Sequence, residues 1–138
     1  MTREPDAKEI LLKQNIRPSI VRVKVLEYLL NNRLHPSADE IYKDLAADMP
    51  TLSKTSVYNT LKLFISEKIV KQIDIDSFQV RYDAFMDFHG HFRCDECGKI
   101  YDFEIYELRD NLEEFMISKK EVYYFGVCKE CLKKVNVG

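Results

Sequence analysis

Apolar residues recur at helical spacing in several segments of the first half of the chain. Their periodicity predicts four helices: residues 6–15, 20–30, 37–49 and 53–67. Pro18 stands where the second helix can begin, and Pro50 is expected to end the third. Ser37, with Glu40 three residues later, forms a capping box at the start of the third helix.

The hydrophobic period changes to two after residue 67. Apolar and polar residues alternate over Ile69–Ile75 and return over Gln79–Asp83, with a turn expected at Asp76-Ser77. Three of the four predicted helices, followed by a hairpin, are enough for the pattern that is typical of a winged helix-turn-helix. Residues 1–83 are therefore predicted to form a winged-helix DNA-binding domain.

The second half of the chain has a different pattern. Strands are predicted at His89–Arg93, Lys99–Phe103 and Glu121–Val127. A helix is predicted over residues 108–117, because one helical face would carry Leu108, Leu112, Phe115 and Met116. With a hinge at about residues 84–88, residues 84–138 form a small α/β domain, and the fold class is α+β.

Composition excludes few function classes but narrows the location. Hydrophobic residues make up 46% of the chain and charged residues 32%, with a net charge of −2. No apolar run is long enough to cross a bilayer, and residues 1–13 lack the apolar core of a signal peptide. A cytoplasmic protein without a membrane partner is expected, and its thiols should stay reduced.

The fourth predicted helix has a lysine-rich polar surface, with Ser53 or Thr55 as its cap. Residues 50–71 contain four lysines and one acidic residue, a balance that attracts phosphates. Arg17 and Arg22 are further phosphate candidates. Such a patch is small, so DNA affinity is expected to require a homodimer; the alternative is a solvated helix face. The candidate DNA contacts of this helix are Lys54, Thr55, Ser56, Tyr58, Asn59 and Lys62.

All four cysteines occur as Cys-x-x-Cys pairs, Cys94/Cys97 and Cys128/Cys131. Two such pairs typically enclose one tetrahedral Zn²⁺. A closed shell of four thiolates leaves no open position, so this zinc is expected to be structural and not catalytic. The alternatives are a redox dithiol or four free cysteines.

The histidines exceed what the cysteine site needs and so indicate a second metal, whereas Asp83 and Asp102 taken alone are ordinary hydrophilic positions. His89 and His91 lie two apart on a predicted strand and so share a face, which suits chelation as well as an ordinary surface. Taken alone, His35 before Pro36 is more typical of a turn. Imidazoles with carboxylates suit Fe²⁺, Mn²⁺ or Zn²⁺.

Five segments together resemble the ferric uptake regulator (Fur) superfamily along nearly the whole chain: HPSADEIY at 35–42, SVYNTL at 56–61, RYD at 81–83, HGHFRCDECGKI at 89–100 and GVCKEC at 126–131. The resemblance implies a homodimeric, metal-dependent repressor that binds a palindromic DNA operator, with Fe²⁺ or Mn²⁺ as regulatory metal. It also implies the regulatory ligands, His35, Asp83, His89, His91 and Asp102.

Within this superfamily the chain is most similar to the peroxide-responsive branch, which also has an aspartate where Asp102 stands and iron-sensing members usually have glutamate. Glu104, on the same strand face by parity, is a competing ligand. Many members have a further metal site with an acidic residue between the histidines and a histidine before the last strand. Gly90 and Lys119 or Lys120 stand there, so this site is expected to be absent.

The resemblance also implies a mechanism. Metal held by ligands from both domains would fix the hinge for DNA binding, and Fe²⁺ with hydrogen peroxide would oxidise His35 or His91 and end repression. The alternative within DNA binding is an iron- or zinc-responsive repressor of the Fur or Zur type. An enzyme is not expected, because no general base or nucleophile motif accompanies the ligands. The lysine-rich helix argues against a zinc module that binds only protein.

Overall fold

A computed structural model describes residues 6–32, 35–76, 79–84, 88–109 and 111–135. The chain divides into two compact units, residues 1–86 and 87–138. The described part of the first unit contains helices and a two-stranded hairpin, and that of the second is built on a three-stranded sheet.

The helices predicted in the first unit are present, with some ends shifted. They are α1 (Ala7–Lys13), α2 (Ile20–Leu30), α3 (Ala38–Ala46) and α4 (Lys54–Ser66). Each follows a cap whose side chain accepts a hydrogen bond from the backbone N–H three residues later. The caps are Asp6, Ser19, Ser37 and Ser53.

Two predicted helix ends need correction. Ser19, and not Pro18, is the residue that precedes α2. The third helix was expected to reach residue 49 but ends at Ala46, because backbone hydrogen bonds from Asp48 to Leu45 and from Leu52 to Met49 turn the chain before and beyond Pro50.

The apolar faces of these helices meet in one core, and burial of each large side chain there contributes roughly 1.5–3 kcal/mol. The core residues with the least solvent exposure are Leu11, Val25, Leu26, Leu29, Ile41, Val57, Leu61 and Phe64. They come from all four helices, so the core fixes the position of α4, whose outer side is the candidate DNA surface.

The hairpin follows α4 and is shorter than predicted. Strand β1 (Lys71–Ile73) pairs antiparallel with β2 (Arg81–Asp83), so Lys71 lies opposite Asp83. The backbone N–H groups of Ile69 and Val70 both donate to the carbonyl of Phe64, which keeps these two residues in the helix-ending turn and out of the strand. Ser77 of the predicted turn lies outside the described residues.

The second unit contains the three predicted strands as β3 (Gly90–Cys94), β4 (Ile100–Phe103) and β5 (Tyr123–Gly126). Their order is β4-β3-β5. The β3–β4 pair is antiparallel and places His91 opposite Asp102 and Phe92 opposite Tyr101. The β3–β5 pair is parallel and places Cys94 opposite Gly126.

The helix predicted over residues 108–117 is wrong for the described residues of that segment, none of which is helical. Glu114 has a φ of 67°, in the left-handed region that interrupts a helix. Most of a helix's stability comes from packing its apolar face, yet Phe115 and Met116 are exposed here, Met116 to 96%. Among the described residues, all four side chains of the apolar stripe seen in the sequence are exposed and none joins a core.

A short helix, α5 (Lys129–Val135), follows β5 where the sequence suggested only a tail. Glu130 in its first turn and Lys133 and Lys134 in its last match the helix dipole. With α5 included, no helix in the described ranges is long and apolar enough to cross a membrane.

Adjacent leucines on α1 provide a matched test of the core. Leu11 is fully buried, whereas Leu12 is 54% exposed. Leu11→Ala should lower the free energy of unfolding of the first unit by about 2–5 kcal/mol, because it leaves a cavity. Leu12→Ala should change it by less than about 0.5 kcal/mol. Urea denaturation followed by circular dichroism measures both, and equal losses would contradict this core.

Candidate metal centres and nucleic-acid interface

The four cysteines come from three adjoining pieces of the second unit. Cys94 ends β3, and Cys97 lies in the tight turn that follows. Cys128 is the second residue after β5, and Cys131 lies in α5. The parallel pairing of β3 with β5 brings the two strand ends side by side, so local pairing assembles the cysteine quartet.

The sulfur atoms have the spacing of a tetrahedral zinc site. The Sγ atoms of Cys94 and Cys131 are 3.7 Å apart, and those of Cys97 and Cys128 are 3.8 Å apart. All four ligand atoms lie within 4.8 Å of one another. Zn–S bonds of about 2.3 Å at tetrahedral angles give S···S distances of about 3.8 Å. The donor set therefore fits one Zn²⁺ with a complete shell.

The thiols of the quartet differ in acidity. Burial alone raises the pKa of Cys94, but backbone N–H groups of Cys97 and Cys128 donate to its sulfur and lower the pKa to about 6. A backbone hydrogen bond at Cys131 lowers the pKa of Cys128, and the Tyr101 hydroxyl adds to this effect. Burial, with hydrogen bonds to the other thiols, raises the pKa of Cys131 to about 12. Metal binding would displace the remaining protons.

In the first unit, His35 and Asp83 form a buried pair. The Nε2 atom of His35 lies 3.6 Å from Oδ2 of Asp83. The backbone N–H of Tyr82 donates to the carbonyl of Pro36 at 3.0 Å, which ties β2 to the segment that contains His35. His35 has a φ of 56°, unusual for a residue with a side chain and often found at functional sites.

In the second unit, Asp102 lies against His91 of β3 and against His89, which immediately precedes that strand. Its Oδ1 is 3.4 Å from Nε2 of His89 and 3.5 Å from Nε2 of His91. The two imidazole rings are 4.5 Å apart between centroids, so they lie on one face of the sheet. Glu104, the competing carboxylate, lies just beyond the end of β4. Two imidazoles and a carboxylate in reach of one another are suitable donors for a divalent first-row metal.

The cysteine and histidine groups lie on opposite faces of the same sheet. Side chains alternate along a strand, so Phe92 and Cys94 face one way and His91 the other. The register carries the same division to β4, where Tyr101 lies opposite Phe92 and Asp102 lies opposite His91.

Gly90 leaves little room for a side chain of any kind. A Cβ atom at this position would lie 2.2–2.7 Å from ring atoms of Phe103. The Phe103 ring itself stacks on Tyr124, with centroids 4.5 Å apart. Lys119 pairs with Glu121 at 3.9 Å. An acidic side chain at position 90 would therefore require the Phe103 ring to move.

Helix α4 presents most of its predicted DNA contacts to solvent. Its exposed side chains are Lys54, Thr55, Tyr58, Asn59 and Lys62. Ser56 is half-buried, and its hydroxyl lies 2.9 Å from that of Ser53, so it takes part in the helix cap. Thr55, Asn59 and Lys62 follow one another at i, i+4 and i+7 and therefore share one face.

Three other predicted DNA contacts already have protein partners. The Tyr58 hydroxyl donates to Oδ1 of Asp39 at 3.2 Å. The Lys54 ammonium lies 5.7 Å from the centroid of the Tyr42 ring. Arg22 donates to the backbone carbonyl of Arg17 at 3.0 Å, so it supports the loop before α2. Contacts of Tyr58, Lys54 and Arg22 with DNA would require these partners to be shared or exchanged.

The sequence analysis missed two residues that lie beside the candidate metal ligands. Arg81 donates to the carbonyl of His35 at 3.2 Å and to Asp76 at 3.1 Å. The pKa of Tyr101 is raised to about 12 by a hydrogen bond with Cys128, followed by burial. The available signals were the position of Arg81, two residues before Asp83, and the strand parity of Tyr101.

Comparisons with known proteins agree with this geometry. The sequence profile of the ferric uptake regulator family matches residues 13–131. The chain is 36% identical over 137 residues to the peroxide operon regulator of Bacillus subtilis, covering 95% of this chain and 94% of that protein.

Solved structures give the same picture. PerR from Streptococcus pyogenes is 31% identical with a TM-score of 0.54, covering 94% of this chain and 95% of that one. The Campylobacter jejuni peroxide stress regulator is 27% identical with a TM-score of 0.70, covering 90% of this chain and 95% of that one.

Removal of one thiolate tests the zinc assignment. Cys131→Ser should reduce bound zinc from about one ion per chain to a small fraction, because zinc loses a quarter of its shell. The second unit should then unfold at lower temperature. Elemental analysis and differential scanning calorimetry measure these effects. Lys133→Ser, an exposed change on the same helix, should keep both values; full zinc in Cys131→Ser would refute the assignment.

Proposed function

The chain belongs to the ferric uptake regulator family, and we therefore propose that it is a metal-dependent DNA-binding transcriptional repressor that responds to hydrogen peroxide. Members of this family are regulators, not enzymes, which agrees with the lack of a catalytic motif in the sequence. The relatives named above are peroxide regulators, and the similarity extends over nearly the whole chain.

The proposed regulatory site uses five ligands from both units of the chain. The first unit contributes His35 and Asp83, and the second contributes His89, His91 and Asp102. The observation that carries the peroxide proposal is the contact of the Asp102 carboxylate with the imidazoles of His89 and His91, at 3.4 and 3.5 Å. Fe²⁺ or Mn²⁺ suits this mixture of nitrogen and oxygen donors, whereas the four thiolates suit Zn²⁺.

The two units have different roles in this proposal. Residues 1–83 form the DNA-binding domain, and residues 84–138 form the dimerisation and metal-binding domain. Ligands on both sides of the hinge at residues 84–88 would couple metal binding to the DNA-competent arrangement, because a ligand shifts a conformational equilibrium only by its difference in affinity for the two states. A homodimer presents two copies of α4 to a palindromic operator, with half-sites about one helical turn or a multiple apart.

In this proposal the ligand imidazoles respond to peroxide. Fe²⁺, when bound, supplies the electrons that activate hydrogen peroxide. The net change inserts one peroxide oxygen into the ring of His35 or His91, and the other oxygen leaves as water. An oxidised imidazole is a poorer ligand, so the two units lose their common anchor and DNA affinity falls. The exposed face of α4 with Thr55, Asn59 and Lys62 is the proposed reading surface.

The choice between peroxide sensing and sensing of metal availability is testable by gel shift. Protein loaded with Mn²⁺ or Fe²⁺ is bound to operator DNA with and without hydrogen peroxide. Peroxide should weaken binding of the Fe²⁺ form by at least about tenfold, equivalent to about 1.4 kcal/mol, and leave the Mn²⁺ form unchanged. Mass spectrometry should find one added oxygen on a peptide with His35 or His91. Resistance of both forms would favour the iron- or zinc-responsive alternative.

Loss of His35 tests the role of the first unit as a ligand donor. His35→Ala should retain its zinc and its helical circular dichroism, because it lies outside the cysteine quartet. Its DNA affinity should no longer rise on addition of Mn²⁺, a loss of at least about tenfold. Leu12→Ala, an exposed change in the same unit, should respond to Mn²⁺ normally. Normal Mn²⁺-dependent binding by His35→Ala would refute the shared site.

A further inference from the structure

Two residues of strand β2 contact the ring and the backbone of His35. Arg81 and Asp83 lie two apart on this strand and therefore share a face of the hairpin. The Asp83 carboxylate lies 3.6 Å from Nε2 of the His35 ring, and Nη1 of Arg81 donates to the His35 carbonyl at 3.2 Å. The same face of β2 thus holds the imidazole with one side chain and the backbone of that residue with the other.

The Arg81 guanidinium is itself fixed by a carboxylate. Its Nε and Nη2 atoms both donate to Oδ2 of Asp76, at 3.3 and 3.1 Å. The side chain of Asp76 is 5% exposed and that of Arg81 is 15% exposed, so the pair is shielded from water. Asp76 lies three residues beyond β1, whereas Arg81 begins β2. The pair therefore ties both sides of the hairpin to His35.

The backbone of His35 is in a conformation that needs such a support. Its φ of 56° lies in the left-handed region, which a residue with a side chain keeps only where the surrounding structure fixes it. This conformation sets the direction in which the imidazole leaves the backbone, and so its approach to Asp83. A donor on the His35 carbonyl therefore helps to hold the ring in place.

The charge of Arg81 has the wrong sign for a group that attracts a metal. A guanidinium stays protonated in proteins and repels a nearby cation. Two carboxylates offset this charge, that of Asp76 at 3.1 Å and that of Glu40 at 3.8 Å. What distinguishes Arg81 is its rigid fork of donors, which reaches a carbonyl and a carboxylate at once and which a lysine ammonium does not reproduce.

We propose that Arg81 is a positioning residue of the regulatory metal site, which raises the affinity for the metal by holding the backbone of His35 in its ligand conformation. The inference rests on the proposed role of His35 as a ligand. Arg81 contacts the carbonyl of His35 and not its ring nitrogens, so its effect on the metal passes through His35. Loss of groups that orient metal ligands typically weakens metal affinity by about 10–100-fold.

The affinity of the full-length, zinc-loaded protein for Mn²⁺ in the absence of DNA tests this role. Arg81→Lys keeps the positive charge and loses the fork, whereas Arg81→Gln loses both. Positioning predicts that both variants bind Mn²⁺ at least about tenfold more weakly, as measured by isothermal titration calorimetry. An effect of charge alone predicts unchanged affinity in Arg81→Lys and tighter binding in Arg81→Gln, and this pattern would overturn the proposal.

Arg109→Lys is the matched control, because it makes the same change at an exposed arginine outside both groups of candidate ligands. Its affinity for Mn²⁺ should equal that of the unchanged protein. Absence of Mn²⁺ binding by the unchanged protein would overturn the proposed regulatory site together with this inference. Normal Mn²⁺ binding by the unchanged protein and equally by Arg81→Lys would overturn only the role of Arg81.

A double variant separates positioning from general destabilisation. In a protein that already has His35→Ala, the addition of Arg81→Lys should change the Mn²⁺ affinity by less than about twofold, because the residue through which Arg81 acts has lost its imidazole. Electron paramagnetic resonance of free Mn²⁺ measures affinities that are too weak for calorimetry. A further tenfold loss in the double variant would overturn the proposal.

A measurement without metal checks the contact itself. In the metal-free protein, the ¹³C signal of the His35 carbonyl should move upfield in Arg81→Lys, because the oxygen loses a charged donor, and should stay in place in Arg109→Lys. An unmoved signal in Arg81→Lys would overturn the proposal. This result is independent of Mn²⁺ and of DNA, so it is distinct from failure of the peroxide-responsive repressor.

Asp76→Asn covers the case in which Arg81→Lys does not fold, as judged by circular dichroism. This variant keeps the shape of the side chain but replaces a charged acceptor with a weaker neutral one, so the guanidinium is held less firmly. The affinity for Mn²⁺ should fall by at least about threefold, in the same direction as for Arg81→Lys. An unchanged affinity in a folded Asp76→Asn protein would overturn the proposal.

Discussion

Both groups of metal-type ligands in the second unit depend on the alternation of side chains along β3 and β4. Within β3, Cys94 and His91 point to opposite faces, and the antiparallel register gives each face its own partner on β4. Phe92 and Tyr101 support the sulfur face, and Asp102 serves the histidine face. A register shift of one residue would exchange the two faces, so the hydrogen bonds of this short sheet determine which donors meet.

The two groups differ in the chemistry that their surroundings allow. The thiolates come from strand ends, a tight turn and a helix that pack together, and their spacing matches a closed tetrahedral shell. The His89, His91 and Asp102 group has fewer donors within its own unit. The buried pair of His35 and Asp83 in the first unit has the same kinds of donor atom. The cysteine quartet therefore suits a structural zinc, and the histidine and aspartate group suits a second metal that responds to conditions.

The core of the first unit fixes the position of α4. Its side chains hold the helix from the buried side and leave the face with Thr55, Asn59 and Lys62 exposed to solvent. The loop that contains His35 is held by Arg81 and by the backbone of β2. Supports of this kind make His35 a buried residue with a fixed orientation, whereas its sequence position before a proline suggested a turn.

The sequence by itself determined the helical core of the first unit, the hairpin, the strands of the second unit and the pairing of the four cysteines into one quartet, because periodicity and Cys-x-x-Cys spacing are local properties. Through the family resemblance it also singled out the histidines and aspartates that are proposed as ligands. Tertiary structure decided the rest. The stripe at residues 108–117 has helical period, but with no core to pack against it stays irregular, and periodicity alone does not reveal what an apolar face will meet. The donors from Arg81 to His35 and from Tyr101 to Cys128 depend on strand register, a long-range property that no local pattern encodes.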